Sequence, residues 1–240
     1  MFSIERQEKI LELLKQSRSV TVSKLAKQLY IGEATIRRDL DALEKSGLVK
    51  RTYGGAVLVE GLSSEIPLLM RENESRESKL SICRQASELV SDGNIIIMDS
   101  SSTTYGMIEF IAPKKDLTVI TNGAKTAVSL AESHNRVYST GGELRNSSLS
   151  YIGQHAREFI SGIHADLLFF SCRGLSDDGY LYDSSPEEAE LRQIMIARAK
   201  KTVLLCDSTK VGKKSFYRIC KISEVSLIIS DLPLPREYEF

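Results

Sequence analysis

From residue 80 onward, short apolar segments that favour β-strands alternate with longer segments that favour helices. The strands are predicted at 95–98, 117–120, 137–139, 167–171, 203–206 and 227–229, and the helices at 82–91, 104–112, 124–133, 154–161 and 186–200. Strands that are apolar along nearly their whole length are typical of a parallel sheet that is covered on both faces. The alternation therefore predicts an α/β fold with a mostly parallel sheet in the C-terminal part of the chain.

Polar segments follow five of these predicted strands. Ligands on parallel sheets bind beyond the carboxyl ends of the strands, so these segments should meet at one edge of the sheet. The candidate ligand-binding residues in them are Asp99, Ser100, Ser101, Ser102, Thr103, Thr104, Thr121, Asn122, Gly141, Gly142, Arg173, Asp207 and Lys210. Any one segment alone is more often an ordinary helix cap or turn. The convergence of five favours a ligand site.

The residue types in these segments indicate an anionic, hydroxylated ligand. Hydroxyl groups and unsatisfied backbone N–H groups at a helix start after Asp99 would favour a phosphate. Lys210 would supply a mobile positive charge, and Arg173 is a second candidate for that role. Asp99 would repel an anion and is better suited to accept hydrogen bonds from sugar hydroxyl groups.

The first 59 residues follow a different pattern, in which three short helices precede a β-hairpin. The features that predict it are a helix from near Ile4, a β-type run at 20–22, Ser23 as N-cap of a second helix, a third helix from near Glu33, and strands at 48–53 and 56–59 around Gly54-Gly55. Ile36, Leu40 and Leu43 define the core face of the third helix. Two helices joined by a tight turn and followed by a two-stranded hairpin form a winged helix-turn-helix.

The third predicted helix places a basic surface opposite its core face. A spacing of 100° per residue puts Arg38 on that surface and Arg37 on its flank, and arginine can bind guanine or phosphate with two hydrogen bonds. The predicted DNA contacts are Ser23, Ala34, Thr35, Arg37, Arg38, Lys45, Lys50, Arg51 and Tyr53, the last three from the wing. The alternative, a solvated and self-paired run of charges, is common on helices, but the hairpin and the local charge favour DNA binding.

The charge is distributed unevenly along the chain. The 32 Lys and Arg residues balance the 32 Asp and Glu residues, which excludes nucleic-acid or membrane binding through the overall field. Residues 1–57 nevertheless carry eleven Lys/Arg against seven Asp/Glu, so the basic excess lies in the predicted DNA-binding part. We predict a DNA-binding domain at 1–59, a linker at 60–75, an α/β domain at 76–232 and a C-terminal tail at 233–240.

Composition excludes several other classes of protein. The four cysteines are scattered without a CxxC pair or a Cys/His cluster, so we expect reduced thiols and neither a metal nor a cofactor. The longest apolar runs are far short of the roughly 20 residues that span a bilayer. Residues 1–20 lack the apolar run of a signal peptide, which predicts a cytoplasmic location without membrane contact.

The N-terminal residues resemble the DNA-binding domain of the DeoR family of bacterial transcription regulators. The matching residues are Arg6-Gln7, Ile10-Leu11, Leu14, Val20, Val22, Leu25-Ala26, Thr35 to Leu40, Leu43, Gly47, Arg51 and Gly54 to Ala56. One departure is Gly32, where the family usually has Ser, Thr or Ala. Since Gly is an acceptable N-cap, we expect a slightly weaker cap and intact DNA binding.

Residues 75–232 resemble the effector-sensing domain of the same family, which is similar in fold to ribose-5-phosphate isomerase and coenzyme A transferases. The resemblance rests on Asp99 with the hydroxyl residues after it, Thr121-Asn122, Gly141 to Leu144, and Asp207 to Lys210. It implies a phosphorylated sugar as effector. Ser101 stands where the family typically has glycine, so its side chain would narrow the pocket or add a hydroxyl donor.

Three functions fit these observations. The leading one is a non-enzymatic repressor of sugar-metabolism genes, which binds double-stranded operator DNA as a homo-oligomer and is released by a phosphorylated sugar. The second is a sugar-phosphate isomerase fused to a DNA-binding domain, with Asp99, Glu187 or Glu188, and Lys210 as the reacting groups. The third makes the C-terminal domain a pure oligomerisation module.

Overall fold

The computed structural model describes residues 2–17, 19–59 and 67–234. The chain divides into two compact units, Met1–Arg71 and Glu72–Phe240, which are treated separately below. Residues 60–66 of the predicted linker and residues 235–240 of the predicted tail lie outside the described residues.

The first unit is a winged helix-turn-helix, as predicted. It contains the helices α1 (Ser3–Ser17), α2 (Val22–Leu29) and α3 (Glu33–Lys45) and the strands β1 (Ser19–Thr21), β2 (Val49–Thr52) and β3 (Gly55–Leu58). The wing has three strands rather than two, because β1 pairs with β3 and completes an antiparallel sheet in the order β1-β3-β2.

The N-cap of α2 is Thr21, so the prediction of Ser23 as the cap was wrong. The hydroxyl of Thr21 accepts a hydrogen bond from the backbone N–H of Lys24 at 3.2 Å. Both residues are good caps by type, but strand pairing holds Thr21 opposite Gly55 in extended backbone, and the buried Val22 then begins the helix. Gly32 caps α3 without a side-chain hydrogen bond, as expected.

One apolar core holds the first unit together. Ile36, Leu40 and Leu43 of α3 are fully buried and pack with residues of α1, α2 and the wing, which confirms the predicted core face. Met70 packs in the same core. It lies on α4 (Leu68–Asn73), a helix within the range predicted as a linker.

The second unit is an α/β domain with a six-stranded parallel sheet. Its helices are α5 (Arg76–Ser87), α6 (Ser102–Tyr105), α7 (Ile108–Ile111), α8 (Ala124–Leu130), α9 (Gln154–Ser161) and α10 (Pro186–Arg198). Its strands are β4 (Ile95–Met98), β5 (Thr118–Thr121), β6 (Arg136–Ser139), β7 (Glu143–Arg145), β8 (Ser150–Ile152), β9 (Ala165–Phe170), β10 (Gly174–Leu175), β11 (Tyr180–Asp183), β12 (Ala199–Leu205), β13 (Tyr217–Lys221) and β14 (Leu227–Ile229).

The main sheet explains why its strands are apolar on both faces. The strand order is β14-β12-β9-β4-β5-β6, and every pairing is parallel. Ile97 and Leu168 belong to one buried cluster, whereas Ile96 and Leu167 belong to another, as successive residues of a strand point to opposite faces. Each of the six predicted strands corresponds to one of these six, with ends that differ by up to four residues, so the predicted fold class is confirmed.

The order in which successive strands are added to this sheet reverses between β4 and β9, although all the strands run parallel. After β4 the chain continues outward to β5 and β6, whereas β9 leads outward on the other side to β12 and β14. The carboxyl ends of β4 and β9 therefore flank the point at which the strand order reverses, where open α/β sheets bind ligands.

The remaining strands were not predicted. The pair β7-β8 and the sheet β10-β11-β13 are antiparallel and consist of strands of two to five residues. Polar residues interrupt most of these strands, so they lack the continuous apolar runs by which the strands of the main sheet were predicted. The predicted helix at 104–112 is also divided, since α6 ends before Gly106 and α7 begins at Ile108.

The four cysteines are free and buried. Among the residues that the structure describes, no helix is long and apolar enough to cross a membrane.

Candidate DNA interface and effector site

The exposed face of α3 carries the basic residues that the sequence analysis singled out. Arg37, Arg38 and Lys45 are exposed, as is Ala34, whereas Thr35 is half-buried. The Arg37 guanidinium lies 2.7 Å from a carboxylate oxygen of Glu33, one turn earlier. Within the described ranges Arg38 makes no ion pair, so its guanidinium remains available for a base or a phosphate.

The wing presents a second exposed set of residues. Tyr53 is fully exposed at the turn between β2 and β3, and Lys50 is exposed on β2. Arg51 differs, because its guanidinium pairs with Asp41 and donates to the carbonyl oxygen of Arg37 at 3.3 Å. Arg51 thus braces the wing against α3, a role the sequence analysis did not assign to this predicted DNA contact.

Two further features of this unit escaped the sequence analysis. Asp39 is 3% exposed and accepts a 2.9 Å hydrogen bond from Nη2 of Arg6 on α1, which fixes α3 to the scaffold. Tyr30 is 95% exposed in the turn before α3, where its φ of 56° ends α2 in the left-handed region. Ser23 is exposed on the first turn of α2.

In the second unit, Asp99 organises the loop after β4. Its Oδ1 accepts hydrogen bonds from the backbone N–H of Ser101 at 3.0 Å and from the hydroxyl of Thr104 at 2.7 Å. Its Oδ2 accepts from the backbone N–H of Ser171 at 3.1 Å and from Nε of Arg192 at 2.7 Å. Because both oxygens are occupied, Asp99 ties β4 to β9 at the reversal point.

The hydroxyl side chains after Asp99 are buried in the first turn of α6. Ser101 is the N-cap of α6, and its hydroxyl accepts from the backbone N–H of Thr104 at 3.1 Å. Its φ of −74° is ordinary for any residue, so serine fits where the family has glycine. No described residue accepts a hydrogen bond from the backbone N–H groups of Ser102, which is 8% exposed, and Thr103, which is fully buried.

Lys210 reaches this turn from the loop after β12. Its Nζ donates to the hydroxyls of Ser171 at 2.8 Å and Thr103 at 3.2 Å, and lies 3.0 Å from Oδ2 of Asp207. Burial raises the pKa of Asp207, but Lys210, Thr209 and Lys79 together hold this pKa below its ordinary value. Asp207 is therefore ionised at neutral pH and fixes the position of the ammonium group.

Asn122 supplies a buried polar group on the β5 side of the site. It is 3% exposed, and its Nδ2 donates to the carbonyl oxygen of Tyr151 at 3.3 Å and to the Ser100 hydroxyl at 3.4 Å. Its Oδ1 is buried without a hydrogen-bond partner among the described residues. Thr121 is also buried, and its hydroxyl accepts from the backbone N–H of Gly123 at 3.0 Å.

The other predicted ligand residues follow β6 and β9. Gly141 and Gly142 follow β6 with φ of 62° and 110°, and a side chain at Gly142 would lie 2.5 Å from the carbonyl oxygen of Ile152. Arg173 follows β9 and is half-buried, and its charge acts on the buried Asp183. The structure thus places all five predicted segments at the carboxyl ends of the strands.

Arg192 is the main buried residue of this region that the sequence analysis missed. It is 5% exposed on α10 and lies 2.7 Å from oxygens of both Asp99 and Asp183, with Glu188 at 3.5 Å. Burial lowers the pKa of Arg192, but the three carboxylates outweigh this and raise it, so the guanidinium stays charged. In the sequence, Arg192 is one of two arginines on a charged helix and carries no distinguishing signal.

Together, an exposed recognition helix and a polar crevice over a parallel sheet define a DNA-binding transcription regulator with a sensor domain. Comparison with known families agrees, because the DeoR-like helix-turn-helix domain matches residues 6–61 and the DeoR C-terminal sensor domain matches residues 74–232. The chain belongs to the DeoR family of transcription regulators.

Relatives of known sequence are similar over nearly the whole chain. The HTH-type transcriptional regulator YulB of Bacillus subtilis is 38% identical over 96% of this chain and 90% of its own length. The lactose phosphotransferase system repressor of Staphylococcus epidermidis is 30% identical over 96% of this chain and 93% of its own.

Two solved structures are similar at low sequence identity, and the first of them shares the fold. Translation initiation factor eIF-2B from Pyrococcus horikoshii OT3 is similar with a TM-score of 0.51 and 14% identity, over 99% of this chain and 92% of that chain. Ribose 5-phosphate isomerase A from Methanocaldococcus jannaschii is similar with a TM-score of 0.43 and 14% identity, over 57% of this chain and 55% of that chain.

Proposed function

We propose that this regulator is a repressor of sugar-metabolism genes, and that a phosphorylated sugar bound in the second unit releases it from operator DNA. The observation that carries the proposal is the position of Lys210. Its ammonium group lies among the hydroxyls of Thr103 and Ser171 at the reversal point of the sheet. A relative, the lactose phosphotransferase system repressor of Staphylococcus epidermidis, supports the link to sugar metabolism.

The charge and the donors around Lys210 suit a phosphate group. The Lys210 side chain is 18% exposed, so an anion beside it would be partly shielded from water and bound more strongly than at the surface. The backbone N–H group of Ser102, a residue that is 8% exposed, adds a directed donor on the same turn. Charge-assisted hydrogen bonds of this kind are stronger than neutral ones.

The sugar part of the ligand would contact Asn122. A buried carboxamide oxygen without a partner costs free energy, and a hydroxyl donor from the ligand would satisfy it. Asp99 was expected to bind sugar hydroxyls, but its four accepted hydrogen bonds give it a positioning role in this proposal.

The carboxylates that the isomerase alternative would use all have partners among the described residues. Enolisation needs a carboxylate that can accept a proton from the substrate. Asp99 is bound to Arg192, Asp207 to Lys210, and Glu188 accepts a 2.6 Å hydrogen bond from Ser150. Glu187 accepts a 2.7 Å hydrogen bond from Ser185. We therefore propose ligand sensing without turnover.

The test combines a ligand screen with a binding assay on the DNA upstream of the gene for this chain. A panel of pentose and hexose phosphates is screened by thermal shift, and the ligands that bind are then tested for release of the protein from DNA. The repressor proposal expects that at least one sugar phosphate both stabilises the protein and releases it. Consumption of the ligand would support the isomerase, and the absence of any thermal shift would support the oligomerisation module.

Replacement of Lys210 by alanine tests the site itself. The change should weaken binding of the selected sugar phosphate by roughly tenfold to a hundredfold, because a charge-assisted contact worth about 1.5 to 3 kcal/mol is lost. DNA affinity without ligand should stay the same, since Lys210 lies in the second unit. Lys200→Ala, at the opposite end of β12, is the matched control. Equal calorimetric affinities of wild type and Lys210→Ala would remove Lys210 from the site.

A further inference from the structure

We infer that Lys79 is a second phosphate-binding cation of the effector site, acting with Lys210 on the same group of the ligand. This inference rests on the proposed function and extends it to a residue of α5. Lys79 lies on α5, outside the five polar segments that follow the strands of the main sheet, so it was not among the predicted ligand-binding residues.

The burial of Lys79 is unusual for a lysine on a helix. Its side chain is 6% exposed, whereas lysines on helices normally extend into water. Its Nζ donates to the hydroxyl of Ser102 at 3.2 Å. At this depth the surroundings are less polar than water, so the Lys79 ammonium group attracts an anion more strongly than a lysine at the surface does.

Lys79 and Lys210 converge on one turn of the chain. Lys79 contacts Ser102 and Lys210 contacts Thr103, which are adjacent residues at the start of α6. Both ammonium groups act on the carboxylate of Asp207 and lower its pKa, which shows that they lie in the same electrostatic environment. The two cations approach from different elements, α5 and the loop after β12.

A cavity opens on the Lys79 side of this turn. Its lining includes Lys79 and Ser102, three further charged groups in Arg76, Lys125 and Glu109, and Glu72, which pairs with Lys125. The three cations outnumber the two carboxylates, so the cavity gives an anion a route from solvent toward Lys79. Two lysines from separate elements favour a phosphate monoester, which carries close to two negative charges at neutral pH, over a singly charged carboxylate.

The experiment uses inorganic phosphate as the probe on the full-length protein. Phosphate is titrated at constant ionic strength into wild type, Lys79→Gln, Lys79→Arg, Lys210→Gln and the control Lys200→Gln, and the dissociation constants are measured by calorimetry. Glutamine can still donate to Ser102 but carries no charge, so we expect binding weakened by roughly tenfold or more. Lys79→Arg should keep most of the affinity, and Lys200→Gln should match wild type.

Phosphate affinity of a folded Lys79→Gln equal to that of Lys200→Gln would overturn the inference. If Lys79→Gln does not fold, as judged by circular dichroism, the NMR resonance of the Lys79 Cε–Hε group in wild type replaces it. That resonance, assigned with Lys79→Arg, should shift with phosphate together with the resonance of Lys210, and a stationary resonance would overturn the inference.

The outcomes separate this inference from the function on which it rests. If Lys79→Gln binds phosphate as wild type does and Lys210→Gln binds it more weakly, Lys79 is excluded from the phosphate site and the proposed function stands. Failure of wild type to bind either inorganic phosphate or any sugar phosphate would contradict both.

Discussion

At the residue scale, the DNA interface depends on whether the arginines of α3 face solvent or the scaffold. Arg37 and Arg38 are exposed, whereas the neighbouring Asp39 is buried against Arg6. The sequence Arg37-Arg38-Asp39 therefore divides into two residues that can contact DNA and one that holds the helix in place.

We expect Arg38→Ala to lower operator affinity without affecting folding. Loss of a base contact should cost about 1 to 3 kcal/mol, whereas loss of a phosphate contact should mainly reduce the dependence of affinity on salt. Fluorescence anisotropy over a salt series measures both effects, with Lys9→Ala, an exposed lysine on α1, as the control for charge. Unchanged binding by a folded double variant at Arg37 and Arg38 would refute the assignment of α3 as the recognition helix.

Asp39→Ala should instead destabilise the first unit. It would leave the Arg6 guanidinium, 14% exposed, without the carboxylate it now pairs with, and removal of one partner of a buried pair typically costs about 3 to 5 kcal/mol. Urea unfolding followed by circular dichroism measures the loss. The double variant Arg6→Met, Asp39→Ala should recover part of it, and purely additive effects would show that the pair is not coupled.

At the scale of elements, the β7-β8 hairpin depends on the two glycines that precede it. Gly141 and Gly142 both have positive φ, but only at Gly142 would a side chain meet backbone, the carbonyl oxygen of Ile152 at 2.5 Å. Ile152 pairs with Glu143 in the hairpin, so displacement of its carbonyl group would disturb the register.

We expect Gly142→Ala to destabilise the second unit more than Gly141→Ala does. Each substitution adds backbone strain of about 1 to 3 kcal/mol, and the clash with Ile152 adds to that cost only at Gly142. Thermal unfolding of the two variants, with and without sugar phosphate, measures the difference. Equal melting temperatures for the two variants would show that the Ile152 carbonyl group moves away from the added side chain without a measurable loss of stability.

At the scale of the whole molecule, one winged helix reads too few bases to select an operator. We therefore propose a symmetric homo-oligomer, in which two recognition helices contact half-sites separated by about one helical turn of DNA or a multiple of it. Sedimentation velocity with and without operator DNA tests this proposal. A monomer at micromolar concentration that binds a single unrepeated half-site would contradict it.

Much of this protein follows from its sequence alone. The recognition helix was predicted because one buried face requires apolar residues at helical spacing. The six strands of the main sheet were predicted because burial on both faces requires continuous apolar runs. Both patterns can be seen in the local sequence. The polar segments after the strands were predicted as one site because parallel strands share an edge. The family resemblance came from the same segments, and the family match confirms it.

Other features depend on contacts between residues that are distant in sequence. Thr21 rather than Ser23 caps α2 because β1 pairs with β3, and the pairing partner Gly55 lies more than thirty residues later. Arg51 braces the wing because Asp41 and the Arg37 carbonyl group meet it only in the folded unit.

Asp99 positions a loop rather than remaining open to a ligand, because α10 brings Arg192 to it from 93 residues away. Lys79 and Arg192 look like ordinary surface charges in the sequence, and only tertiary structure buries them, because burial of a charge is decided by the groups that surround it in space.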